Sequence, residues 1–208
     1  MNFDINTLIQ QLAIQLPPLL FALTVHELAH GWVAFRLGDP TAKMAGRLTM
    51  NPLKHLDPLG VLAFVIMKIG WAKPVPVDPR YFRNPQKDML LVALAGPGAN
   101  VLLAIASALL ARVLVSMPVL PLFVLQPLVG MLEASVWINI MLAVFNIIPI
   151  PPLDGSKVLM GVLPPEAARS FARIEPFGFF ILLALFYTGV IGGLILPIIR
   201  FANNLLLG

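Results

Sequence analysis

Apolar residues fall into five runs, at 7–37, 59–71, 89–115, 122–149 and 177–207, separated by short stretches that hold most of the charge. A helix rises about 1.5 Å per residue, so crossing the hydrocarbon core of a bilayer takes roughly 20 residues. The first, third and fourth runs are long enough. The second is too short to cross unaided and predicts a re-entrant or interfacial piece. The last contains Gly189, Gly192, Gly193 and Pro197 and predicts either one kinked helix or a tight helical pair. Residues 38–58 include Gly38, Pro40, Gly46, Asn51, Pro52 and Pro58, too broken for a helix, with "AGRLTM" at 45–50 offering a short strand-like run. The pattern therefore predicts an all-α polytopic membrane protein, a single membrane-embedded domain over residues 1–208. It has about five apolar helical segments, with a short re-entrant or strand-containing region after the first.

Composition sharpens this reading. The chain is 59% hydrophobic and 12% charged over 208 residues, with a mean hydropathy of +0.89, more apolar surface than a soluble globule of this size can hide. No cleavable leader is expected, because the first six residues lack a basic stretch and the run behind them carries the best chemical motif. There are no cysteines, so disulfides and thiolate metal ligands are excluded, and any metal is held through nitrogen or oxygen. The net charge of +4 does not imply a nucleic-acid partner, since the basic residues sit in loops between apolar runs, where the positive-inside rule accounts for them.

The motif is "HELAH" at 26–30, inside the first run. A spacing of four puts His26 and His30 on one helical face, one turn apart, where two neutral imidazoles can bind one zinc ion. Glu27 can then take a proton from water at the metal. Ionisable groups inside a membrane helix are costly and need a partner or a purpose, which disfavours an incidental origin. A catalytic zinc usually has three protein ligands, so one is missing from this helix. The candidates are His55, Asp39, Asp57, Asp78, Asp88 and Asp154. Asp154 stands out because it closes "NIIPIPPLDG" at 146–155, where three prolines force extended chain and Gly155 permits a tight turn. The alternative is a polar residue at a membrane interface.

Three further residues are candidates for substrate or transition-state contacts. Asn146 can donate to an oxyanion or satisfy a backbone carbonyl freed by the prolines. Asn100 closes "GPGAN" at 96–100, where Gly96, Pro97 and Gly98 break the third run and let helices approach; it can line the cavity. His55 can support the metal site, stabilise an oxyanion or contact substrate, or else be a loop histidine at the water interface.

"HELAH", "NPLKH" with "DPLG" at 51–60, "LAGPGAN" at 94–100 and "NIIPIPPLDG" together resemble the site-2 protease family of intramembrane metalloproteases. The likeness spans about residues 20 to 160. It implies one Zn2+ per chain held by His26, His30 and Asp154, with Glu27 as catalytic base. It also implies substrates that are helices of membrane proteins. The chain is most similar to small bacterial and archaeal members without a PDZ or nucleotide-sensing domain.

Topology gives an independent expectation. Basic residues in 72–88 and 151–175 put those loops in the cytoplasm and the turn near 112–121 outside, so the segment 122–149 runs inward and the first helix does too. The active site then faces the cytoplasmic side of the plasma membrane. Two rivals remain: a zinc transporter, which would need a polar path that these spans lack, and a metal-keeping scaffold, which would not need Glu27.

Overall fold

The computed structural model describes residues 5–67, 70–117 and 120–208. Its helices are α1 (Ile5–Arg36), α2 (Thr41–Met44), α3 (Pro58–Met67), α4 (Pro85–Ser116), α5 (Leu122–Asn146), α6 (Asp154–Val162), α7 (Pro165–Ala172), α8 (Gly178–Tyr187) and α9 (Val190–Leu207). Five stretches are long and apolar enough to cross a membrane: α1, α4, α5, the stretch Pro165–Tyr187 and α9. This is a multi-pass membrane protein. The five are not quite the five runs of the sequence. The last run yields two helices, because Gly189 takes a left-handed φ of 75° and separates α8 from α9. The run 59–71 contributes only the ten-residue α3, about half a span; its positions 68 and 69 lie outside the described residues.

Helix α4 is the centre of the bundle, packed on α5, α1 and α6, while α5 also meets α1 and α9. The reason is a stripe of small side chains. Ala93, Gly96, Asn100, Ala104, Ala108 and Ala111 are all buried and recur every three or four positions on one face. In lipid no hydrophobic force drives helices together, so close packing along such a stripe supplies the association instead. Ala104 and Ala108 meet Val136 and Ile140 of α5 and Ile191, Ile195 and Ile199 of α9 in the main apolar cluster. Outward, Leu102, Leu109, Phe123 and Phe201 are exposed, as expected where the surrounding solvent is hydrocarbon. "GPGAN" does not break its helix. α4 runs unbroken through Pro97, the tolerance membrane helices show for proline.

The expected strand at 45–50 is absent, and the described residues contain no strand, only an antiparallel bridge between Leu56 and Ala72. The reason lies in α2. Gly46 has a φ of 65°, its N–H donates to the Lys43 carbonyl, and the Arg47 N–H donates to the Ala42 carbonyl. This is a Schellman ending, which turns "AGRLTM" into a helix cap. The irregular backbone here is satisfied by buried polar groups: Asp39 at 0% exposure, His55 at 1% and Arg47 at 7%. Farther along, Asp78 caps a turn at Pro79–Tyr81, and the Arg80 guanidinium bonded to it holds its carboxyl below the ordinary carboxylate range.

After α5, the prolines deliver the chain to α6, whose first residue is Asp154. Gly155 is jammed against the end of α5, where an added Cβ would lie 2.2 Å from the Ile147 carbonyl oxygen. Among the described residues nothing lies within 4 Å of such a Cβ at Gly193. Gly155→Ala is therefore expected to destabilise the detergent-solubilised protein by about 1–3 kcal/mol, as overpacking does, and Gly193→Ala is not. Thermal unfolding of the two variants side by side measures the difference.

Candidate metal centre

Helix α1 carries His26, Glu27 and His30, and the turn into α6 brings Asp154 to the same point. His26 Nε2 and His30 Nε2 lie 3.0 Å apart. Asp154 Oδ2 lies 3.2 Å from each of them. Both histidines are buried, and among the described residues Asp154 Oδ2 is buried without a hydrogen-bond partner.

The outer ring nitrogens decide what occupies the centre of this triangle. His30 Nδ1 is 2.7 Å from the Val92 carbonyl oxygen, which only accepts, so His30 carries its proton on Nδ1. For His26 the tautomer is fixed through a relay. Asn139 Nδ2 donates to the Ser135 carbonyl at 2.8 Å, so Asn139 Oδ1 is the atom that accepts from Asn100 Nδ2 at 2.7 Å. Asn100 Oδ1 then faces His26 Nδ1 at 2.6 Å and accepts its proton. In the metal-binding form, imidazoles that carry their proton on Nδ1 aim their Nε2 lone pairs inward, at each other and at a carboxylate oxygen. With both imidazoles in that form the three electron-pair donors repel unless a cation, a metal ion or a proton, sits among them. His26, His30 and Asp154 can therefore hold a metal ion, and they are the group of metal-type side chains that converges among the described residues. An N,N,O donor set suits zinc in a site that keeps a position open for water.

Other expected residues fall in different places. His55 is outside the triangle; its Nε2 donates to the Thr49 carbonyl at 2.9 Å and its Nδ1 has no hydrogen-bond partner among the described residues. Asn146 donates to the Leu142 carbonyl one turn back, at 2.9 Å. Asn100, at 0% exposure, holds a histidine and does not line open space.

Three contributors were not anticipated. Asn139 is fully buried in α5, and a polar residue in mid-span was the available signal. The Val92 carbonyl carries no residue-type signature. The sequence marks Gly96 only as a point of close helix approach, whereas in the fold it is the floor under the imidazoles: an added Cβ would lie 2.3 Å from His30 Nε2 and 2.6 Å from His26 Cε1. At Gly98 nothing among the described residues lies within 4 Å of an added Cβ. Gly96→Ala is therefore expected to abolish tight divalent-cation binding, and Gly98→Ala to preserve it, measured as bound metal per chain after dialysis.

Residues 123–188 match the model of Peptidase family M50. "Putative zinc metalloprotease YwhC" of Bacillus subtilis is 41% identical over 174 residues, covering 82% of this chain and 78% of that protein. "Putative zinc metalloprotease Rip2" of Mycolicibacterium smegmatis is 33% identical, covering 81% of this chain and 64% of that protein. Its Mycobacterium tuberculosis counterpart is 30% identical, covering 84% and 66%. The chain thus spans just under two thirds of the Rip2 relatives. No solved structure matches it. From a relative 41% identical over more than three quarters of its own length, this chain belongs to peptidase family M50, the site-2 protease family of zinc metalloproteases.

Proposed function

We propose that this zinc metalloprotease cuts peptide bonds in or near the helices of other membrane proteins, with His26, His30 and Asp154 holding one zinc ion and Glu27 as general base. The observation that carries this reading is the triangle of inward-facing lone pairs, set between helices long and apolar enough to cross a membrane. When bound there, zinc polarises the scissile carbonyl and acidifies water. The protein's residues do the rest. Glu27 follows His26 directly in α1, and its Oε2 is held by the Val75 N–H at 2.9 Å. The other oxygen, Oε1, takes the proton of the attacking water and returns it to the leaving amine. Asn100 and the Val92 carbonyl keep both imidazoles in the Nδ1–H form throughout.

A peptide bond inside a helix has its carbonyl engaged, so a substrate must unwind locally before it is cut. Helices weakened by Gly, Pro or polar residues are the substrates that fit. Loop charges orient the site toward the cytoplasmic side of the cell membrane, with α3 returning to the face it entered from. Single cysteines at Arg83 and Glu166 in this cysteine-free chain then label from the same, inner, side of sealed vesicles; labelling from opposite sides contradicts the orientation.

Glu27→Gln is expected to keep zinc at one per chain and to lower cleavage of a single-span substrate in proteoliposomes by about 10²–10⁴-fold. Retained turnover removes Glu27 from its role. Asp154→Ala is expected to empty the site under a weak chelator, while His55→Ala keeps its zinc, because His55 lies outside the triangle. Zinc stoichiometry of the two proteins after identical dialysis decides between them, and the reverse result exchanges their roles.

A further inference from the structure

Glu27 makes a contact that proton transfer alone does not require. The donor to its Oε2 is the backbone N–H of Val75, 48 positions along the chain. Val75 is 8% exposed, and a Cβ on Gly31, one helical turn beyond Glu27, would lie 3.0 Å from Val75 Cγ1. The segment around Val75 is thus seated on the same face of α1 that presents the carboxylate.

Each end of that segment is tied down separately. The Lys73 N–H donates to the His55 carbonyl at 2.8 Å. Arg47 Nη2 donates to the Lys73 carbonyl at 2.6 Å, and Nη1 to the Pro74 carbonyl at 3.2 Å. The Asp78 N–H donates to Asp39 Oδ2 at 2.8 Å, while Asp39 Oδ1 is occupied by Thr41. Pro74 and Pro76 flank Val75 and have no N–H of their own, and their fixed φ keeps the chain extended. The Val75 N–H is consequently the one donor the stretch 74–76 can offer.

Arg47 is the unusual member. It is 7% exposed, and no carboxylate pairs with it among the described residues. A buried guanidinium is expensive without compensation, and what it receives here is two main-chain carbonyls immediately before Val75. Its side chain therefore sets where the Val75 N–H points. A glutamate side chain has three rotatable bonds; with Oε2 held, the directions open to Oε1 are restricted.

On the reading of Glu27 as general base, we propose that residues 73–78 form a strap whose Val75 N–H aims the Glu27 carboxylate, and that Arg47 is the positioning residue that holds this strap. Arg47 touches neither zinc nor substrate in this scheme. Removing it lets the strap shift, and Glu27 then samples orientations from which it cannot reach the attacking water.

Two measurements on the full chain test this. The first needs neither metal nor turnover: hydrogen–deuterium exchange of the peptide covering 72–78 in the zinc-free protein. Arg47→Met and Glu27→Ala are expected to raise exchange there. Glu27→Gln, whose amide oxygen still accepts, is expected to leave it at the wild-type level. The second is cleavage kinetics of zinc-loaded protein. Arg47→Met is expected to lower kcat by about 10–100-fold, the range for partners that support a metal site from behind. KM and zinc content stay unchanged, and Arg47→Lys recovers part of the loss. Val75→Pro, which removes the donor, is expected to fall well below Val75→Ala, which keeps it, so the idea stays testable if Arg47→Met does not fold. Faster exchange in Arg47→Met with an unchanged kcat overturns the proposal, as does a kcat loss matched by zinc loss. Unchanged exchange in Glu27→Ala overturns it as well. If Glu27→Gln retains turnover, the base assignment fails by itself, and the exchange data still report whether the strap rests on that side chain.

Discussion

Two imidazole nitrogens 3.0 Å apart, each 3.2 Å from the same carboxylate oxygen, repel one another when no positive charge lies between them. In an apolar setting that repulsion is barely screened. The histidines cannot relieve it by turning around, because the Val92 carbonyl and Asn100 Oδ1 already hold their protons on the far side. Most of what is particular about this bundle follows from keeping that arrangement in place. Asn100 needs Asn139 to orient it, and Asn139 needs Ser135, so one ring orientation on α1 depends on residues of α4 and α5. Histidines that bind metal commonly use their second nitrogen this way, to fix tautomer and direction.

The same demand explains the placement of small residues. α4 can pass behind the imidazoles because Gly96 offers no side chain, and α6 can begin with Asp154 at the right spot because Gly155 fits under the end of α5. These glycines are matched to two particular obstacles. The rest of the small-residue stripe along α4 does the general work of holding helices together where water is absent. Lipid-facing positions carry large apolar side chains and no comparable constraint.

Local chemistry was legible in the sequence, and long-range chemistry was not. "HELAH" encodes its own geometry, since four positions make about one helical turn, and the prolines before Asp154 announce a rigid carboxylate. The helical segments were legible as well, because 20 apolar residues have few other fates. What escaped depended on partners far along the chain. Asn100 is visible as a polar residue in a span, but its partner His26 is 74 positions away. The Val75 N–H and Val92 carbonyl are main-chain groups, which no residue code distinguishes. "AGRLTM" misled because its β-like composition was overridden by Gly46, whose left-handed backbone ends α2. "GPGAN" misled in the opposite sense: glycine and proline, read as a break, sit in a continuous helix.

The central claim is that zinc in this protein is held by the two histidines of α1 and the carboxylate at the start of α6. X-ray absorption at the zinc edge of the loaded protein tests it most directly, because imidazole and carboxylate ligands scatter differently. The account predicts two imidazole nitrogens and at least one oxygen around the metal, in a spectrum that His55→Ala leaves unchanged and Asp154→Asn alters. Three imidazoles, or a spectrum that changes with His55 and not with Asp154, would contradict it.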